Sequence, residues 1–273
     1  MAATLDQIVA ARRRGVASAK ASADVRALER QAADHVPRGF RRNLESKAAS
    51  GIAVIAELKK ASPSLGLIRA DFPVAELAKE LEQAGAAALS VLTEEEFFAG
   101  SLADLRTASS ATGLPCLRKD FIVDPFQILE ARANSADAVL LIVAALSSAE
   151  LQLLHHEARE FGLDVLCEVH DQRELELALY AECDIIGVNS RDLRTFQVDL
   201  NNALRLAEHI PPGKIRVAES GIHSAADIQR LVAAGFDAFL IGESLMKAER
   251  PGEALRQLLA TTNARAEASR LAP

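Results

Sequence analysis

The sequence has no tryptophan, one tyrosine and only 4% aromatic residues, so its core cannot be organised around large rings. Hydrophobic residues still make up 49% of its 273 positions. Alanine, leucine, valine and isoleucine must therefore fill that core, an aliphatic α/β composition. Cysteine is scarce as well: Cys116, Cys167 and Cys183 lie far apart, none in a metal-like pair, and an odd number cannot fully pair within the chain. They read as reduced core residues of a cytosolic protein. Positive charge is outweighed, 31 Lys and Arg against 38 Asp and Glu for a net charge of −7, which argues against nucleic acid or an anionic membrane as partner. A locally basic pocket stays open. No stretch reaches the ~20 apolar residues of a membrane span. The first residues, Met-Ala-Ala-Thr-Leu-Asp, lack the charged region and apolar core of an export signal. The expectation is a cytoplasmic protein with a small-molecule partner.

What is present is an alternation. Short β-branched runs occur at Ile52–Glu57, Ala87–Leu92, Leu114–Lys119, Asp137–Ile142, Asp164–Val169, Asp184–Asn189, Lys214–Glu219 and Asp237–Gly242. They are spaced by roughly one strand, one helix and two short loops. Each run is nearly continuously apolar, as parallel strands covered on both faces require. Eight βα units without a long break favour a closed (β/α)8 TIM barrel over an open doubly wound sheet. The latter would also want a Gly-x-Gly-x-x-Gly turn after its first strand, and Glu57-Leu-Lys-Lys-Ala-Ser-Pro is not one.

Helix signals fill the gaps. Ser224 precedes Ala225, Ile228, Leu231 and Val232 with Asp227 three residues on, and Gly235 stops that helix. Pro125 begins a helix over Phe126–Asn134, Ser148 one over Ala149–Phe161, and Pro251 one over Gly252–Ala260. Residues 1–46 precede the repeat as a helical N-terminal extension, with a capping box at Thr4-Leu-Asp-Gln7 and a second helix around Val25–Ala33. A plug over one end of the barrel and a direct role in binding both suit it. The barrel itself is placed at 47–262, and 263–273 reads as a frayed polar tail.

In barrel enzymes the reacting groups gather at the C-terminal strand ends. Here those ends carry Glu57 and Lys59, Lys119, Glu168, Asn189, and Glu219 with Ser220. Side chains two apart on a strand point the same way, so Glu57 with Lys59, Leu117 with Lys119 and Leu166 with Glu168 share a direction. If that direction is inward, five ionisable groups meet in one mouth while Cys116 and Cys167 face outward beneath the helices. Gly221 and Gly242, after the last two strands, mark the place where barrels often hold phosphate on backbone N–H groups. Glu243 could join them only through its own N–H. His155-His156-Glu157 lacks metal spacing, because adjacent helical positions diverge, and reads as an exposed face.

These residues resemble a known family. Ala56-Glu-Leu-Lys-Lys-Ala-Ser-Pro-Ser64, Leu117-Arg-Lys-Asp-Phe-Ile-Val-Asp-Pro125, Cys167-Glu-Val-His170, Ile186-Gly-Val-Asn-Ser-Arg-Asp-Leu193, Ala218-Glu-Ser-Gly-Ile222 and Ile241-Gly-Glu-Ser-Leu-Met246 are similar, in order, to the strand-end motifs of indole-3-glycerol-phosphate synthases. So is Ser90-Val-Leu-Thr with Phe97-Phe and Gly100-Ser101. Ser190 departs from the family, where many members carry a second Asn. Some members are fused to phosphoribosylanthranilate isomerase, and these 273 residues leave no room for a second barrel.

The resemblance implies a carbon–carbon lyase of tryptophan biosynthesis acting on 1-(2-carboxyphenylamino)-1-deoxyribulose 5-phosphate, with no metal and no organic cofactor. It implies Glu57, Lys59, Lys119, Glu168, Asn189, Glu219 and Ser220 as the catalytic set. It implies Ser62, Phe98, Phe121, Arg191, Gly221, Gly242 and Glu243 as binding residues. Lys59 and Lys119 would serve the alkoxide formed on ring closure and anchor the carboxylate; either fits either task, and we favour Lys119 as the acid. Glu168 would transfer protons with Glu57 as its partner, Asn189 orient the intermediate, and Glu219 fix a lysine or a hydroxyl. Monomer and homodimer are both compatible. The rivals are a related barrel such as the isomerase, which would want a Cys at an inward strand end, and a non-catalytic barrel that binds phosphometabolites.

Overall fold

The computed structural model describes residues 4–191 and 197–271, with side chains through Thr262; Asp192 and Leu193 of the sixth strand-end motif lie outside the described residues. Among those residues eight strands run in parallel: β1 Ala53–Leu58, β2 Ala88–Leu92, β3 Cys116–Lys119, β4 Ala138–Ile142, β5 Asp164–Val169, β6 Ile185–Asn189, β7 Ile215–Glu219 and β8 Ala238–Ile241. Each pairs with its sequence neighbours, and β1 closes on β8 with Ala53 opposite Ala238 and Ala56 opposite Ile241. The closed barrel agrees with the sequence reading, and every expected run overlaps a strand.

Strand parity sorts the side chains into two layers. Ile55, Leu117, Leu140, Leu166, Ile185, Val217 and Leu240 pack inside the barrel. Val54, Leu89, Cys116, Val139, Cys167, Ile186 and Phe239 lie between the sheet and the surrounding helices. At the N-terminal end of the strands the inward positions are small, Ala53, Ala88, Ala138 and Ala238, and leave room that Phe40 and Leu44 fill. Both belong to α3 (Phe40–Ser50), a helix the sequence reading did not recognise, which enters through Gly39 at φ +78°. Asn43 Nδ2 donates to the Ala87 carbonyl and fixes this plug. The extension also reaches the other end. The first helix, α1 (Leu5–Ser22), carries the expected capping box of Thr4 and Gln7 and packs Ile8 in the cluster that includes Phe121 and Ile142. Between them α2 (Val25–Asp34) rests Ala32 on Leu129 and Ala133.

The outer ring comprises α4 (Val74–Gln83), α5 (Leu102–Ala111), α6 (Phe126–Ala133), α7 (Ser148–Glu160), α8 (Gln172–Tyr180), α9 (Leu200–Ala207), α10 (Ala225–Ala233), the short α11 (Glu243–Lys247) and α12 (Pro251–Leu271). The Ser224–Asp227 capping box on α10 is present. On α7 the cap is Ser147, one residue before the Ser expected to begin the helix, because Glu150 then falls at the third position and completes a capping box. The expected stop at Ala260 is corrected: α12 continues to Leu271, through an alanine-rich segment of high helix propensity.

The cysteines need a larger correction. Cys167 and Cys183 are joined as a disulfide, with Cα atoms 6.4 Å apart, and only Cys116 is a free thiol. Cys167 lies on the outer face of β5 and Cys183 two residues before the neighbouring β6, so the side-by-side pairing of these consecutive strands brings together sulfurs 16 residues apart in sequence. Both are fully buried.

Candidate active site

The C-terminal strand ends converge as parity requires. Lys119, the last residue of β3, places its Nζ 3.0 Å from Glu168 Oε2 on β5 and 3.2 Å from Glu219 Oε2 on β7. Across the mouth Lys59 Nζ lies 3.1 Å from Glu57 Oε1, whose other oxygen accepts a bond from Ser90 Oγ at 3.4 Å. Glu57, Glu168 and Glu219 are all at most 4% exposed. Isolated buried charges of this kind are costly, and mutual pairing makes them tolerable.

Three carboxyls share two ammonium groups here, so one proton too few is present for full pairing. The titration behaviour follows. Burial works against ionising Glu168, but the charges of Lys119 and His170 and hydrogen bonds from Lys119 and Asn189 outweigh it and hold the group low, at about 2. Glu219 suffers the same burial, is only partly offset by Lys119, and is pushed up to about 8 with Glu168 and Glu57 adding repulsion. Its Oε1 has no hydrogen-bond partner, which a neutral carboxyl tolerates far better than a carboxylate. The pair therefore titrates in two separated steps, the lower step dominated by Glu168. Lys119 is itself buried, yet the facing carboxylates Glu168, Glu219 and Glu57 drive its pKa above the ordinary lysine value.

These groups line a cavity of about 120 Å³ with Ser62, Phe98, Phe121, Asn189, Arg191, Ser220 and Glu243. Phe98 and Phe121 form one wall, ring centroids 6.1 Å apart. A short antiparallel hairpin after β1, Ala61–Ser62 with Gly66–Leu67, brings Ser62 to the rim, and the N–H of Ala61 donates to the Phe98 carbonyl. Arg191 spans from Asn189, whose Oδ1 accepts its N–H at 3.0 Å, to Glu243 Oε2 at 3.3 Å. The Glu243 carboxylate is also bonded to Lys247 at 2.7 Å.

Gly221 and Gly242 do not line the cavity. A Cβ on Gly242 would fall 2.5 Å from Glu57 Oε1, so its missing side chain gives Glu57 its place. Gly221, at φ +73°, would bring a Cβ within 2.5 Å of Val198. It follows Ser220, itself at φ +63°, so two successive left-handed residues shape this loop.

Three participants escaped the sequence reading. Asp120 lines the cavity but faces the outer layer, where its Oδ2 takes bonds from Thr93 at 2.7 Å and from Arg12 on α1 at 2.5 Å. Glu94, buried, accepts the N–H groups of Glu96, Phe97 and Phe98 and so sets the loop that carries Phe98. His170 lies 3.5 Å from Glu168 and shares its strand parity, a signal that could have found it. On α7, His155 is buried, not exposed as expected, while His156 is exposed; no group of three or more potential metal ligands occurs among the described residues.

Comparison with known proteins agrees with this geometry. Residues 5–258 match the family described as indole-3-glycerol phosphate synthase. An indole-3-glycerol phosphate synthase of Koribacter versatilis is 59% identical over 259 residues, covering 95% of this chain and all of that protein. One of Burkholderia ambifaria is 48% identical, covering 94% and 99%. Among solved structures, thiamine phosphate pyrophosphorylase from Pyrococcus furiosus superposes with a TM-score of 0.59 at 17% identity, over 80% of this chain and 98% of that one. Orotidine 5'-phosphate decarboxylase from Pyrococcus horikoshii does so with 0.59 at 12%, over 77% and 99%. These two share the barrel fold. Matched over almost its whole length, the chain belongs to the indole-3-glycerol phosphate synthase family.

Proposed function

We propose that this mouth closes, decarboxylates and dehydrates 1-(2-carboxyphenylamino)-1-deoxyribulose 5-phosphate to indole-3-glycerol phosphate. The observation that carries the assignment of roles is Lys119 held between Glu168 and Glu219 at the base of the cavity. Lys119 donates to the carbonyl oxygen as the ring carbon attacks it. Lys59, near the rim and paired with Glu57, holds the anthranilate carboxylate until it leaves as CO2. Glu168 removes the ring proton during dehydration, with Glu57 as its partner, and Asn189 and Ser220 orient the intermediate. Glu219 positions Lys119. Preorganised charge of this kind acts most strongly where water is excluded.

The aromatic ring lies against Phe98 and Phe121, and the phosphate is gripped by Ser62, Arg191 and the backbone N–H groups of Gly221, Gly242 and Glu243, near the start of α11. A Cys-dependent isomerase finds no support, since Cys116 and Cys167 lie in the outer layer. The same reading takes residues 1–46 as the extension, 47–262 as the barrel and 263–273 as the tail. α3 crosses the first border and α12 the second. It also places the protein in the cytoplasm as a monomer or homodimer. No helix among the described residues is long and apolar enough to cross a membrane.

Incubation with the carboxyphenylamino-deoxyribulose phosphate, chelator present and no metal or nucleotide added, should yield indole absorbance and CO2 in equal amounts. No product, or product only after a divalent ion is restored, would refute this reading.

A further inference from the structure

We propose that His170 and Glu174 form a proton-delivery path from a second, solvent-facing cavity to Glu168 and Lys119. The path would supply the one proton that each turnover must draw from water. This inference rests on the proposed reaction. In that reaction the alkoxide formed on ring closure takes one proton, and the departing hydroxyl takes another as it leaves as water. The ring carbon returns one, while the carboxylate leaves as neutral CO2 and its bonding electrons stay on the ring. Two protons enter and one is released, so one must arrive from solvent in every cycle. The small mouth, walled by Phe98 and Phe121, is filled by the substrate when that proton is needed.

A larger void of about 740 Å³ lies beside the mouth, and Asn189 and Arg191 line both. His170 and Glu174 line the second void, whose rim includes the exposed residues Asp6, Asp171 and Arg205. From it a row of titratable groups leads inward. Glu174 Oε2 lies 3.0 Å from His170 Nδ1 and also accepts the His170 N–H at 2.7 Å. His170 Nε2, buried and without a hydrogen-bond partner, lies 3.5 Å from Glu168 Oε1. Glu168 Oε2 in turn lies 3.0 Å from Lys119 Nζ. Asn202 on α9 donates to the His170 carbonyl and holds the backbone of the relay.

A proton taken up at Glu174 passes to Nδ1, the imidazole releases its Nε2 proton to Glu168, and Glu168 returns a proton to Lys119 after that lysine has donated. No oxidant or co-reactant is needed. The 3.5 Å gap exceeds a good hydrogen bond and closes with a small tilt of the ring, as catalytic hydrogen bonds commonly tighten with substrate bound. The groups facing the ring are Glu168 on β5, Glu174 on α8 and Glu219 on β7, with Lys119 behind Glu168 and Asp6, Asp171 and Arg205 across the void. Burial disfavours the imidazolium, but the carboxylates of Glu174, Glu168 and Glu219 outweigh it and raise the His170 pKa above its ordinary value. The ring therefore holds a proton more readily than a free imidazole.

The test is multiple-turnover kinetics of His170→Ala with and without added imidazole, beside His170→Gln. The relay requires kcat to fall at least about tenfold with KM unchanged, and imidazole to restore the rate saturably, with methylimidazoles of different basicity giving different rates. His170→Gln, which retains a hydrogen-bonding side chain but cannot carry a proton between two nitrogens, should lose as much kcat as the alanine variant. A purely structural role predicts changed KM, no imidazole dependence and near-parental kcat for His170→Gln, and any of these overturns the relay. A parent chain that forms no indole product overturns the reaction and the relay together, whereas an active parent matched by an equally fast His170→Ala overturns the relay alone.

Discussion

Lys119 and Arg118 are adjacent cations on β3, Arg118 fully buried and Lys119 largely so, and they point to opposite faces of the barrel wall. Outside, Arg118 is fully satisfied. Its guanidinium bonds Thr93 at 3.2 Å, Asp120 at 2.9 Å, Glu130 at 2.7 Å and the Gln127 carbonyl at 2.9 Å, and Arg12 completes the cluster from α1. Inside, Lys119 has two carboxylates, one of which retains an unpartnered oxygen, and a cavity in front of it. Burial of charge is thus common to both faces and does not mark function. What separates them is the side chain's freedom to give up a proton, which arginine lacks, and the incomplete pairing that leaves the inner cluster able to respond.

The comparison predicts different kinds of damage. Lys119→Met should lower kcat by about 10⁴, at the upper end for a general acid, while the folded protein still binds substrate. Arg118→Met should instead cost about 3–5 kcal/mol of stability, because Asp120 and Glu130 lose their buried partner, and kcat per folded molecule should stay near the parent's. Denaturant unfolding and active-site titration separate the two. If Arg118→Met proves as inactive as Lys119→Met with normal stability, the division between the faces is wrong.

Gly187→Ala perturbs the inner face from β6. A Cβ there collides with Glu219 Oε1. We expect a loss of about 1–3 kcal/mol from overpacking together with reduced kcat, since Glu219 must swing away from Lys119. Unchanged kcat would detach Glu219 from the lysine.

The last effect concerns pH. Glu219 is raised from 4.5 to about 8, so its contribution to stability is complete below about 4.5 and is lost as pH rises through about 8. Glu168, held low, behaves in the opposite sense: its contribution is present above 4.5 and is lost as pH falls towards about 2. The windows do not overlap. Stability of Glu219→Gln minus that of the parent should therefore grow between pH 5 and 8, and a flat difference would reassign the raised group.

Much of this was legible in the sequence, because parallel strands buried on both faces must be apolar throughout, and parity then fixes which side Glu57, Lys119 and Glu168 take. Resemblance supplied the binding residues, and the structure brings Phe98, Phe121 and Arg191 to the same cavity. Less legible were contacts made only when separate elements pack together. The Arg12–Asp120 pair joins residues 108 apart, with nothing in either local pattern to announce it. Cys167 and Cys183 meet because β5 and β6 are neighbours in the barrel wall. The helix α3 offers only Phe40 and Leu44 as deeply buried anchors, too few for a periodic signal, although those two close the floor of the barrel.

Glu168 is the group that moves protons at the proposed mouth, and Glu168→Gln tests that role directly. The amide retains the size and hydrogen-bonding reach of the side chain but cannot exchange a proton. Steady-state turnover of the carboxyphenylamino-deoxyribulose phosphate should fall by about 10²–10⁴ in kcat with little change in KM and an intact fold. A kcat within about tenfold of the parent across the pH range, with altered substrate affinity, would instead show that Glu168 only balances the charge of Lys119.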